Sequence, residues 1–162
     1  MDKVQEHAKN GGYVLGVCNG FQILCEAGLL PGALLHNSSH KFVCKNTPLI
    51  PISKKAAITK TLDSDKTYTI PIAHGEGRYY ASNEVLKELE INDQILFKYS
   101  DFEGETSKDA NPNGSEMNIA GICNKEGNIF GMMPHPERAS DSELGNEDGR
   151  IILESLINSI NN

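Results

Sequence analysis

A chain of 162 residues with 15 Lys and Arg against 22 Asp and Glu has a formal net charge of −7, which argues against nucleic acid or an anionic membrane as its main partner. The length suits a single domain over residues 1–162 with a sizeable core, and neither a signal peptide nor an apolar run long enough to span a bilayer is expected. The four cysteines, at 18, 25, 44 and 123, include no CxxC pair, which fits neither a zinc framework nor a disulfide scaffold and implies a reduced, cytoplasmic setting.

In chain order, Asp2 to Asn10 reads as a short polar helix stopped by Gly11-Gly12. Tyr13 to Val17 is apolar without alternation, the pattern of a buried parallel strand. A helix over Asn19 to Ala27 ends at Gly28. Residues 33 to 73 read as several β segments, KFVCK, PLIPIS and TYTIPIA, separated by turns. Ser82 caps a helix through Glu90 with Val85, Leu86 and Leu89 on one face. Gln94 to Tyr99 is a strand, and the polar, Gly- and Asn-rich stretch from Ser100 to Met117 is a loop. Ile119 to Cys123 and Asn128 to Met132 form a hairpin about Lys125-Glu126-Gly127. The terminal helix, Gly149 to Ile160, places Leu153, Leu156, Ile157 and Ile160 on one stripe.

The stretch YVLGVCNGFQIL holds the chemistry. A strand delivers Cys18 into a tight turn between Gly16 and Gly20, and a helix leads away. This is the G-x-nucleophile-x-G elbow of α/β enzymes with sulfur as the nucleophile. The crowded turn is expected to tolerate only glycine at both flanking positions. The helix N-terminus is expected to favour the thiolate. Near the other end, GMMPHPERAS sets His135 and Glu137 on either side of Pro136. In an extended segment residues i and i+2 point the same way, so Glu137 can orient the His135 ring and stabilise its cation. Cys18, His135 and Glu137 then form a nucleophile, a base and an orienting acid. The Asn19 backbone N–H follows the nucleophile and is the natural oxyanion donor. Cys25, Cys44 and Cys123 read as core residues, and Arg138 is placed to pair with a nearby acid.

GVCNGFQIL with a distal HPE resembles the class I glutamine amidotransferases. The resemblance covers nearly the whole chain. LCEAGLLPGALLHNSSHKFVCK, IPIAHGEGRYYA, NPNGS and IAGICNKEGNIFGMMPHPERA are similar to the glutaminase subunits that serve de novo purine synthesis. The resemblance implies an α/β fold of the flavodoxin-like type, a three-layer sandwich around a central, mostly parallel sheet. It implies hydrolysis of L-glutamine to glutamate and ammonia by the Cys-His-Glu triad. The ammonia would pass to a large synthetase subunit that converts formylglycinamide ribonucleotide to its amidine, with a small third subunit completing the complex. Gln22 and the backbone of His74-Gly75-Glu76-Gly77 would bind the glutamine. On the residues alone, Gln22 reads as a helix-surface side chain and HGEG as a plain turn.

His74 and Glu76 also suggest metal ligands, but no second cluster at ligand spacing accompanies them, so no metal is expected. With no GxxxxGK[ST] and no strand-GxGxxG-helix, the chain is not expected to bind ATP, and ATP and Mg belong to the synthetase. Asn111 to Ser115 is turn chemistry, either a contact for the synthetase or a surface loop. Relatives of this class carry an upstream segment whose Pro-Gly-Gly loop gives a second oxyanion amide. The chain starts at MDKVQEHAKNGG, so the N-terminal part of the fold is expected to be missing and Tyr13 to Val17 to lack a neighbour. Three other readings stay open: a catalytically impaired fragment that only binds a partner, the glutaminase of another amidotransferase, and an unrelated cysteine hydrolase with the same elbow.

Overall fold

The computed structural model describes residues 1–160. The elements are α1 (Asp2–Lys9), β1 (Val14–Val17), α2 (Asn19–Glu26), β2 (Ala33–Leu35), β3 (Val43–Pro51), β4 (Tyr68–His74), β5 (Arg78–Tyr80), α3 (Asn83–Ile91), β6 (Ile95–Tyr99), β7 (Ile119–Cys123), β8 (Ile129–Met132) and α4 (Asp148–Ile160). Six strands form one sheet in the order β1-β8-β7-β6-β3-β4, and β2 pairs with β5 apart from it.

Helices cover both faces of the sheet. Phe21, Leu24 and Cys25 of α2, Leu86 and Leu89 of α3 and Ala8 of α1 share one apolar cluster. Ile152 and Leu156 of α4 join the other, built on Leu49, Ile70, Ile72, Phe97 and Tyr99. The α/β layered architecture expected from the sequence is therefore present. Its sheet is mixed, however, and not mostly parallel. Only β1 and β8 run parallel, Val14 opposite Ile129 through Val17 opposite Met132. The other four pairings are antiparallel. For β7 and β8 the reason is connection length: a parallel pair needs a crossover of a dozen or more residues, whereas these two are joined by a short turn, as hairpins are. KFVCK and PLIPIS also fuse into the single strand β3, which pairs with β4 over its first part and with β6 at its end.

The face that α4 buries differs from the predicted stripe. Gly149, Ile152 and Ser155 are buried, while Ile157 and Ile160 are 53% and 54% exposed. The Ser155 hydroxyl donates to the Ala57 carbonyl at 2.9 Å and accepts from Thr61 N–H at 3.1 Å. Small and hydrogen-bonded residues let the helix approach closely, so the inward face is not the most hydrophobic one. Cys44 is exposed and so is not a core residue, whereas Cys25 and Cys123 are buried as expected.

β1 stands at one edge of the sheet, and β8 is its only strand partner among the described residues. A four-residue apolar strand with a free backbone edge is a template for pairing with another chain. The chain is therefore expected to associate with rising concentration, measured by light scattering on a sizing column. A monodisperse monomer that melts cooperatively would contradict this.

Candidate active site

The parallel pair builds the site. Where β1 ends, Cys18 N–H donates to the Met132 carbonyl at 2.8 Å, and Val17 lies opposite Met132. The chain leaving β8 thus passes beside the elbow, and three residues on it delivers His135. Cys18 holds φ 51° and ψ −105° as N-cap of α2. A non-glycine residue with positive φ is strained, and the turn throws its side chain off the strand end. Gly16 is required, because a Cβ there would lie 2.7 Å from the Gly20 backbone and 2.6 Å from Leu24. Gly20 is not: its Cβ position is open for 4 Å. Of the two flanking glycines only the first answers to crowding, because the helix turns away from the strand immediately after Cys18.

His135 is held from two sides. Its N–H donates to the Pro71 carbonyl of β4 at 2.8 Å, and its Nδ1 meets Glu137 Oε1 at 2.6 Å. A carboxylate can only accept, so Nδ1 carries the proton and Nε2 is left with its lone pair. That Nε2 is buried with no hydrogen-bond partner. The expected extended His-Pro-Glu segment is instead the start of a 3-10 turn, Pro136–Ala139, with His135 as its N-cap. Proline at the first position of the turn fixes φ, and the Glu137 carboxylate folds back onto the imidazole. The ring is 9% exposed and the carboxylate 52%. Arg138 pairs with Glu137 at 3.6 Å.

Burial pushes the Cys18 thiol above its ordinary pKa. The Asn19 backbone N–H and the Arg138 guanidinium pull it back, and the Glu137 carboxylate adds a smaller upward push. The helix N-terminus does favour the thiolate, as expected, but desolvation outweighs it. At neutral pH Cys18 rests as a thiol and needs a base.

The predicted glutamine-binding residues converge on one loop. Gln22, on α2, donates through Nε2 to the Glu76 carbonyl at 2.6 Å. His74 ends β4, and Gly75, Glu76 and Gly77 turn towards β5. The Glu76 side chain faces solvent and meets His36 at 3.3 Å. Burial lowers the His74 pKa to about 4, with a smaller contribution from the nearby His135. Because this lies below the ordinary value of 6.5, the unfolded chain binds that proton more readily. Stability is complete above about pH 6.5 and falls as pH drops towards 4, by up to about 3 kcal/mol. Urea midpoints at pH 7 and pH 4.5 measure this, and a His74→Gln variant is expected to lose much of the difference.

Sequence reasoning missed the groups that hold this loop. Asn37 is fully buried and bonds to it at several points. Asn113 and Ser115 are buried too, while Asn111, Pro112 and Gly114 are half-buried, so NPNGS is anchored inward and is not wholly a surface loop. Asn113 Nδ2 donates to the Gly77 carbonyl at 2.8 Å, and Ser115 Oγ accepts from Tyr79 N–H at 3.0 Å. The signal was present in NPNGS, which is turn chemistry, but only the fold shows that the turn faces inward. Among the described residues, no group of three or more His, Cys, Asp or Glu is gathered as a metal site, and no helix is long and apolar enough to cross a membrane.

Comparison with known proteins gives the family. Residues 1–149 match the family described as the CobB/CobQ-like glutamine amidotransferase domain. A phosphoribosylformylglycinamidine synthase subunit PurQ from Salinibacter ruber is 52% identical over 160 residues, covering 99% of this chain and 68% of the relative. The PurQ subunit from Aquifex aeolicus is 53% identical over 154 residues, 95% of this chain and 68% of the relative. Among solved structures, PurLQS from Thermotoga maritima superposes with a TM-score of 0.81 at 40% identity, over 97% of this chain and 66% of that one. A glutamine amidotransferase from the same organism shares the fold, with a TM-score of 0.52 at 16% identity over 96% of this chain and 59% of that one. The chain thus spans about two thirds of the length of the proteins it resembles, and it belongs to the glutamine amidotransferase family, with the PurQ subunits of phosphoribosylformylglycinamidine synthase.

Proposed function

We propose that the chain hydrolyses L-glutamine to glutamate and ammonia through Cys18, His135 and Glu137. The observation behind this is the pairing of a strained elbow cysteine at a strand end with a buried imidazole whose Nδ1 is fixed by a carboxylate at 2.6 Å. His135 Nε2 takes the Cys18 proton as sulfur attacks the carboxamide carbon. The tetrahedral oxyanion receives the Asn19 N–H. Its collapse breaks the C–N bond, and the imidazolium returns the proton to the departing nitrogen as ammonia. His135 then takes a proton from water, which attacks the thioester, and releases it to the sulfur as glutamate leaves. Glu137 keeps the proton of Nδ1 in place throughout. Gln22 and the loop from His74 to Gly77 hold the substrate.

Ammonia would be consumed on a cytoplasmic large synthetase subunit, in a complex with a small third subunit. There, with ATP and Mg bound to the synthetase, it converts formylglycinamide ribonucleotide to formylglycinamidine ribonucleotide. Intact mass after treatment with a diazo-ketone analogue of glutamine tests the site. One stoichiometric adduct on Cys18 is expected, together with glutamate release.

A second reading, a partner-binding domain of impaired activity, is favoured by the burial that holds the thiol above its ordinary pKa. Folded protein that forms no adduct supports that reading and rules out the first. Delivery of ammonia to a different acceptor in a reconstituted complex would point to another amidotransferase.

A further inference from the structure

Asn37 lies outside every assigned role, yet its side chain is bonded at four points beside the loop from His74 to Gly77. Its Nδ2 donates to two carbonyls, Lys41 and His74, both at 2.8 Å. Its Oδ1 accepts from Gly77 N–H at 3.2 Å and faces His74 Nδ1 at 3.1 Å. Its own N–H donates to the Gly75 carbonyl at 2.9 Å. Two of the four residues of the loop, His74 and Gly77, are thereby tied to the side-chain amide, and Gly75 to the backbone of the same residue.

The pattern fixes the direction of that amide. Two carbonyls can only accept, so the atom facing them is nitrogen. Gly77 N–H can only donate, so the atom facing it is oxygen. His74 Nδ1 therefore confronts an acceptor and must carry the hydrogen. In a neutral imidazole the other nitrogen is then bare. Nε2 of His74 is buried and, among the described residues, has no hydrogen-bond partner, as is true of Nε2 of His135. An orphaned buried acceptor is costly and asks for a donor.

We propose that Asn37 is a positioning residue for glutamine. It sets the loop from His74 to Gly77 and locks His74 in the Nδ1–H tautomer, so that the Nε2 lone pair is the one hydrogen-bonding function the ring can offer a ligand N–H. This rests on the glutaminase reading. The geometry discriminates between residue types at position 37. Asp is isosteric and keeps the acceptor towards Gly77 and His74, but it loses both donations and sets a negative charge against the ring. That charge stabilises the imidazolium, Nε2 gains a proton, and the acceptor becomes a donor. The titratable group that also acts on His74 is His135, whose charge opposes the second proton.

The test is nitrogen-15 NMR of the histidine rings in the full chain, wild type and Asn37→Asp, with glutamine kinetics on both. Wild type is expected to show His74 as the Nδ1–H tautomer. The variant is expected to show His74 titrating at higher pH and a KM for glutamine raised about tenfold or more, with a smaller change in kcat. Alkylation of Cys18 by iodoacetamide, which needs no glutamine loop, is expected to be retained. A wild-type His74 protonated on Nε2 overturns the proposal whether or not the variant folds. So does a folded variant whose His74 titration and KM match wild type. A wild-type chain that hydrolyses no glutamine sinks the glutaminase reading instead, and the tautomer with its response to Asn37→Asp still decides what Asn37 does.

Discussion

Replacing Cys18 by Ala is expected to lower glutamine hydrolysis on the order of 10⁴-fold or more, without loss of the fold. Removing the nucleophile from a concerted set costs about as much as removing the whole set. His135 with Glu137 then has no thiol proton to take, and the Asn19 N–H no adduct to stabilise. The fold should survive because the elbow is held by the Cys18 backbone, whose N–H donates to Met132 and whose carbonyl accepts from Phe21 and Gln22. Alanine keeps a Cβ at φ 51° and so keeps the strain. Glycine would relieve about 1 kcal/mol or more of it, against a loss of similar size from its freedom in the unfolded chain. Cys18→Gly is therefore expected to be equally inactive and to melt no lower than Cys18→Ala. Thermal melts of the two, with glutamate release, make the comparison. A Cys18→Ala chain that retained even a hundredth of the activity would show that another group attacks the amide.

The elbow was legible in the sequence because its demands are local. A strand, a helix and Gly16 in close contact with the next turn all act within a few residues of Cys18, and His135 and Glu137 are two residues apart. Their approach to Cys18 follows once β1 and β8 pair in parallel, which apolar patterning alone does not state. The thiol pKa was read in the wrong direction because burial is a property of the whole fold and the helix N-terminus of eight residues. Asn37 was invisible for the same reason, and Asn113 showed only as turn chemistry. An Asn in a loop sequence reads as turn chemistry, and only the packed structure shows that its amide is spent on carbonyls elsewhere in the chain. The inward face of α4 escaped because it is made of Gly149, Ile152 and Ser155, while hydrophobicity pointed to Ile157 and Ile160.

That hidden face leads to the second large effect. Gly149→Ala is expected to cut kcat about a hundredfold, with much less change in KM. A Cβ at position 149 would stand 2.0 Å from the Pro136 carbonyl oxygen, 2.7 Å from its carbon and 2.8 Å from the Ala139 oxygen. These are backbone atoms of the turn that carries His135 and Glu137, and they cannot rotate aside. Nor can α4 easily retreat. The Asp148 carboxylate accepts from Thr69 N–H at 2.8 Å, Asn146 donates to the Thr69 carbonyl, and Ser155 is bonded to the loop at Ala57. The overlap must move the turn, and with it the imidazole. A displacement of about 1 Å at a catalytic group can cost a hundredfold, and overpacking of this kind costs about 1–3 kcal/mol in stability. The loop from His74 to Gly77, proposed to hold glutamine, is fixed separately, by Asn37, Asn113 and Gln22, so substrate affinity should be largely spared. Ile157→Ala, on the exposed side of the same helix, is the control and should leave both constants unchanged. Steady-state kinetics of the two variants at matched folded fraction decides the matter. A Gly149→Ala chain with wild-type kcat would mean that α4 shifts as a unit and that the turn does not depend on it.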